Sequence, residues 1–173
     1  MQGADADSAA IFDTFVDDKA KAEHFGGAVA AALQSQAGTT VVGGLGEGVV
    51  ANVVSSKVLT TIRRPNAAAA TKATRITLSA ADGMEEELAE FLVQGGDIVK
   101  ETEPGTLLWF ATRIGASTFA IVDTFTDEDA RAAHFNGAVA AALKDNSERL
   151  VAGGWDNGVL ANVSHYDVIA SNL

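Results

Sequence analysis

The feature that most constrains this chain is that part of it occurs twice. The stretch IFDTFVDDKAKAEHFGGAVAAAL from Ile11 matches IVDTFTDEDARAAHFNGAVAAAL from Ile121. Without a gap, VVGGLGEGVVANV from Val41 then matches VAGGWDNGVLANV from Val151. Roughly 24 of 43 aligned positions are identical, at a displacement of about 110 residues. Solenoid repeats run to roughly 20 to 50 residues, so the duplicated object is a domain. The 173 residues hold about one and a half such units, because nothing ahead of Ser8 matches the segment Thr74 to Ala116 that precedes the second copy. Three accounts stay open. The natural start lies upstream, another chain supplies the missing half, or the first copy packs as an incomplete appendage. The expected organisation is an incomplete strand-helix-strand repeat over residues 1–61 and a complete domain over residues 74–173. Between them, Pro65 and a run of alanines predict a linker over residues 62–73.

In the complete copy, TRITLS (Thr74 to Ser79) alternates polar and apolar residues as a half-buried strand does. Met84, Leu88, Phe91, Leu92, Ile98 and Val99 then recur at helical spacing, with Glu85 to Glu87 at the favourable end of the helix dipole. Gly95 and Gly96 are expected to kink or end that helix. Pro104 and Gly105 turn the chain into TLLWFATRIG and STFAIVDTF, two strands of a hairpin. Thr126 is the expected N-cap of an alanine-rich helix running to about Asn146, and NVSHYDVIAS closes the unit as a strand. The order β-α-β-β-α-β predicts an α+β, ferredoxin-like unit with both helices on one face of an antiparallel sheet. The other face needs cover from a second sheet, a subunit or a ligand, and a duplicated gene offers a second sheet.

Composition narrows the partners. Twelve Lys and Arg against 23 Asp and Glu give a net charge of -11, which repels nucleic acid and anionic lipid. The absence of cysteine excludes disulfides, thiolate metal sites and a cysteine nucleophile. MQGADADS has neither the basic nor the apolar part of a signal peptide, and no apolar run approaches the roughly 20 residues of a membrane span. A cytoplasmic location is the expectation by elimination. The strand edges of a half-unit require pairing or cover, which predicts a homodimer or larger.

The runs LLWFATRIG, STFAIVDTFTDEDARAAHFNGAVAAAL and HYDVIAS resemble the antibiotic-biosynthesis-monooxygenase-like family of dimeric α/β barrels. The likeness covers nearly all of Thr74 to Ser171, and its second half recurs in Ser8 to Thr60. It implies ferredoxin-like units that place their open sheet faces together and enclose pockets. It also implies relatives that oxygenate polyphenols or quinols without a cofactor, some that degrade haem, and others with no demonstrated activity. Fold membership alone does not establish chemistry.

Strand parity then selects candidates, since alternate residues point to opposite faces. Trp109, Ala111 and Arg113 share one face of their strand, and Phe119, Ile121, Asp123 and Phe125 share one face of the next. For a cofactor-independent oxygenase of a small aromatic molecule, the catalytic candidates are Trp109, Arg113, Asp123 and His134. Trp109 would stack on the ring, Arg113 would hold an oxyanion, and Asp123 or His134 would take the proton. Phe119, Ile121 and Phe125 would line the substrate. Each has a plainer role: Trp109 as core or dimer packing, Arg113 paired with Asp123 across the hairpin, His134 as a packing histidine repeated at His24. A non-enzymatic, small-molecule-binding or stress-related barrel is the alternative. Haem, for which a helix histidine is a competent ligand, ranks lower, because the strand ends in Phe125 (Phe15 in the first copy) rather than tryptophan and the first strand offers no asparagine. GGLGEG and GGWDNG lack the Lys-Ser/Thr of a phosphate loop and read as turns, with Asn52 and Asn162 fixing the entry to the following segment. His165, Tyr166 and Asp167 alternate along a strand and form no cluster, so no metal site is expected.

Overall fold

The structure, a computed structural model, describes residues 8–171. These form two compact units, residues 8–55 and residues 56–171. In the smaller, helix α1 (Asp18–Phe25) and helix α2 (Ala28–Thr40) follow a segment, residues 8–15, without regular secondary structure. The Asp17 carboxylate caps α1 by accepting from the Ala20 N–H at 2.7 Å. A π-helical turn (Gly44–Val49) and a 3-10 turn (Val50–Asn52) complete the unit. Asn52 Nδ2 donates there to the Glu47 and Gly48 carbonyls.

The larger unit contains strands β1 (Lys57–Arg63) and β2 (Lys72–Ser79), helix α3 (Glu85–Thr102), and the hairpin β3 (Thr106–Arg113) and β4 (Thr118–Phe125). Helices α4 (Glu128–Phe135) and α5 (Ala138–Leu150) and strand β5 (Val163–Asp167) follow. The sheet order is β1-β3-β4-β2-β5, antiparallel throughout, and β2 to β5 with their helices make the expected α+β, ferredoxin-like unit. The strand-helix-strand reading of the first copy changes at both ends. Residues 8–15 are no strand, although their copy is β4, because β4 is hydrogen-bonded on both sides to β2 and β3. Lys57–Arg63 does form a strand, as a fifth member of the larger unit's sheet. Residues 62–73 accordingly begin inside β1 and end inside β2.

Strands β3 and β4 are buried on both faces, and ten of their sixteen residues are apolar. On one face Trp109, Ala111, Phe119 and Ile121 pack with Leu88, Leu92 and Val99 of α3 and with Val139, Leu143 and Leu150 of α5. Leu108, Phe110 and Val122 cluster on the other. Gly95 and Gly96 do not end α3, which continues to Thr102. A Cβ on Gly96 would sit 3.2 Å from the Trp109 ring, and one on Gly95 would sit 3.3 Å from Val139. The glycine pair is therefore a slot in the helix for the indole.

The C-terminus of α3 is held from outside. Arg64 donates from one guanidinium nitrogen to the carbonyls of Val99, Lys100 and Glu103, and from Nε to that of Thr106. The Val99 carbonyl also accepts from the Glu103 N–H and the Glu103 carbonyl from the Thr106 N–H, so Arg64 adds a further donor there, and a cation at this point meets the negative end of the dipole. Asp127, not Thr126, caps α4, accepting from the Ala130 N–H at 2.8 Å. The expected single helix is two, broken at Asn136 and Gly137. Among the described residues no helix is long and apolar enough to cross a membrane.

Candidate active site

Three ionisable side chains meet under the helices. Glu103 lies just beyond the last turn of α3, His134 in the last turn of α4, and Asp123 on β4. His134 Nδ1 is 2.5 Å from Glu103 Oε2, and His134 Nε2 is 3.5 Å from Asp123 Oδ2. Thr106 Oγ1 also donates to Glu103 Oε2 at 3.3 Å. The Phe125 and Phe135 rings flank the imidazole, at 5.3 Å and 5.5 Å between centroids. The helix break serves this arrangement, because a Cβ on Gly137 would lie 2.7 Å from Glu103 Oε1.

Asp123 is fully buried, and among the described residues neither of its carboxylate oxygens has a hydrogen-bond partner. It stands opposite Trp109 in the β3–β4 register. Both residues, with His134, Ile121, Leu143 and Trp155, line an apolar cavity of about 30 Å³. Burial pushes the Asp123 carboxyl up to about 7, opposed by the attraction of His134 and assisted by the repulsion of Glu103. Burial acts to lower the His134 value, but the attraction of Asp123 and the hydrogen bond to Glu103 raise it above the ordinary imidazole range. The constellation is an imidazole between two carboxyl groups, one of them poised to exchange a proton near neutral pH. A ligand entering this cavity finds one strong acceptor, Asp123, inside an apolar wall, as a general base requires.

Of the candidate residues, Trp109, Ile121, Asp123 and His134 converge on the cavity. Phe125 lies behind His134, and Phe119 is core beneath Arg113, whose guanidinium sits 5.0 Å from its ring. Arg113 is not brought to the site. It pairs with Glu86 at 2.6 Å, stands opposite Phe119, and leaves the position facing Asp123 to Trp109. Glu103 and Trp155 complete the site and were not singled out by the sequence. The only trace of Glu103 is the glycine that makes room for it. His165 brings its Nδ1 within 3.0 Å of Thr74 Oγ1 and stands edge-on to Phe135, and Asn162 repeats the turn-bracing hydrogen bonds of Asn52. Among the described residues no group of three or more His, Asp or Glu is arranged to hold a metal ion. Haem does not fit either. His134 is 5% exposed, both ring nitrogens face carboxylates, and the cavity is far smaller than a porphyrin.

No family model matches the chain, and no curated protein matches it. Among solved structures, the NE2512 protein of Nitrosomonas europaea, of unknown function, is 35% identical with a TM-score of 0.55, over 61% of this chain and 96% of its own. A proposed monooxygenase of Lactobacillus acidophilus is similar at 12% identity with a TM-score of 0.59. The match covers 79% of this chain and 62% of that one. LmHde, a haem-degrading enzyme of Listeria monocytogenes, is similar at 13% identity with a TM-score of 0.50, over 66% of this chain and 71% of its own. At such identities the last two likenesses concern the fold.

Proposed function

Because the chain belongs to the same family as the NE2512 protein of Nitrosomonas europaea, whose own function is unknown, its chemistry has to be read from its own site, and we propose that it is a cofactor-independent monooxygenase of a small phenolic or quinol-type molecule. The observation that carries this reading is Asp123, a buried carboxylate without a donor, titrating near neutral pH beside an indole. A phenolic hydroxyl supplies the missing donor. Asp123 takes its proton, and the resulting anion is electron-rich enough to reduce dioxygen directly. In the balanced reaction of a hydroquinone one ring C–H becomes C–OH, the quinol is oxidised to the quinone, and the second oxygen atom leaves as water with the two hydrogens that the quinol gives up. His134 stabilises the ionised Asp123, Glu103 positions His134, and Trp109 packs on the ring. The likeness in fold to proteins described as monooxygenases agrees with this class of reaction.

A cavity of about 30 Å³ holds dioxygen or a water but no aromatic ring. Entry of the ring requires outward movement of Trp155 and of Leu160, which is 40% exposed. That small volume favours a second reading, a protein that binds a small molecule without transforming it. Oxygen consumption over a panel of hydroquinones and polyphenols separates the two. Uptake in the wild type, reduced at least about 100-fold in Asp123→Asn and in Trp109→Ala, is the expected result. Saturable binding of a panel member with no uptake would replace the oxygenase with the binding protein.

A further inference from the structure

We propose that Trp155 is the specificity-determining residue of the cavity, a wall tethered by Lys144 and Glu148 that yields to a single aromatic ring and resists a fused pair. This role rests on the reading of the cavity as the place where an aromatic molecule meets Asp123. Trp155 lies in the π-helical turn Gly154–Val159, and its half-buried side chain lines the cavity with Asp123, Trp109 and Leu143. Two side chains on the same face of α5, four residues apart, reach it. The Glu148 carboxylate accepts from the backbone N–H of Trp155 at 3.1 Å. The Lys144 ammonium stands 5.9 Å from the centre of the indole, within reach of a cation–π contact.

The first copy supplies an internal control. Its turn Gly44–Val49 has the same π-helical form, and its glycines Gly43 and Gly44 have φ of 80° and 61° against 84° and 61° at Gly153 and Gly154. Asn52 braces it as Asn162 braces the other. Yet Leu45 stands in the place of Trp155, Gln34 in that of Lys144 and Gly38 in that of Glu148. The turn therefore forms without any of the three. They differ as a set, and what the set does in the complete unit is fix an indole at the cavity. Room for the tether is built in: a Cβ on Gly154 would overlap the Glu148 carboxylate, whereas one on Gly44 would meet the Gly38 backbone only at 4.0 Å.

Of the two indoles that line the cavity, Trp109 is 1% exposed and wedged against Gly95 and Gly96 of α3. Trp155, on a turn at the surface end of the lining, is the one that gives way to a ligand. A few atoms more or less against an apolar wall change affinity by roughly 10- to 200-fold, which is the scale on which such a wall sorts one ring from two.

The test is anaerobic calorimetry with phenol and 1-naphthol as probes, on the full chain and on Trp155→Leu, which carries the residue of the first copy. The wild type should bind phenol at least about 10-fold more tightly than 1-naphthol, and Trp155→Leu should shift that ratio at least about 10-fold toward 1-naphthol. Trp155→Phe, a second variant that keeps a ring on the turn, should fall between them. An unchanged ratio overturns the proposal, and oxygen uptake with hydroquinones in the same proteins would leave the oxygenase standing. A shifted ratio without uptake upholds the size filter in a binding protein. Binding of neither probe to either protein overturns the aromatic reading and the filter together. Glu148→Ala keeps the indole and removes its tether. In protein labelled with 5-fluorotryptophan, the fluorine resonance that Trp155→Leu deletes should narrow and shift in Glu148→Ala, while that of Trp109 stays. A merely structural role for Glu148 would not confine the change to one indole, and an unmoved Trp155 resonance overturns its part as the tether.

Discussion

Asp123 carries a conflict between stability and chemistry. Its carboxyl titrates at about 7 when folded against an ordinary value of 3.8, so the folded state holds its proton over the intervening range. The stabilising contribution is complete below the unfolded value and is lost as pH rises through about 7. His134 works in the same direction. Its raised value stabilises the fold below the unfolded imidazole value of 6.5 and ceases to do so above the folded one. Thermal unfolding should therefore show the melting temperature rising as pH falls from 8 to 5. Asp123→Asn should flatten that slope and raise stability at pH 8 by a few kcal/mol, since each tenfold change in a protonation equilibrium is worth roughly 1.4 kcal/mol. Activity should be lost in the same variant. A steep slope that survives the substitution would assign the pH dependence elsewhere. Parity along β3 and β4 found Trp109, Ile121 and Asp123 because faces follow from alternation, but it could not place Arg113. Arg113 shares the face of Trp109 yet stands four residues on, roughly 13 Å along the strand, beside Phe119 and Glu86. Glu103 was beyond reach for a different reason. It meets His134 from 31 positions away, a tertiary contact that no local pattern encodes.

Among the elements, the clearest lesson is that nearly identical segments end in different states. IFDTF at Ile11 and IVDTF at Ile121 share their alternation, yet only the second is a strand, because only it has β2 and β3 beside it to take up its backbone groups. Strand propensity is in this sense a statement about neighbours. The helices, whose hydrogen bonds are internal, form in both copies and read more directly from sequence. Helix α3 departs from its own propensity at Gly95 and Gly96. Alanine is ordinarily the better helix former by about 1 kcal/mol. Here Gly96→Ala brings a methyl to 3.2 Å from the buried Trp109 ring and to 3.3 Å from Thr60 Cγ2. The substitution should destabilise by about 1–3 kcal/mol and alter tryptophan fluorescence as the indole moves. A rise in melting temperature would show that the slot has slack and that the glycines serve something other than Trp109.

For the whole molecule, the α+β fold of the complete unit was legible in the β-α-β-β-α-β order. What it missed was the boundary, because a strand is assigned to a sheet by its hydrogen bonds and not by the copy it descends from. Residues 62–73 have the proline, the small side chains and the polarity of a tether, but Arg64 spends its guanidinium on four carbonyls around the end of α3, and its own N–H donates to Leu107 at 2.9 Å. Arg64→Ala should cost about 1–3 kcal/mol and speed hydrogen exchange in the last turn of α3, measured against α5 as an internal reference. Unchanged exchange would show that the turn holds without it. The same contact bears on how the chain is cut. A segment containing Arg63 and Lys72 is chemically an invitation to trypsin, but cleavage needs about a dozen residues to leave the surface and adopt the protease's extended shape. With Arg64 spanning the end of a helix and strands on either side, that excursion requires breaking the sheet. Digestion of the native protein should spare this stretch until the larger unit unfolds, which keeps a segment with the composition of a tether from being cut like one.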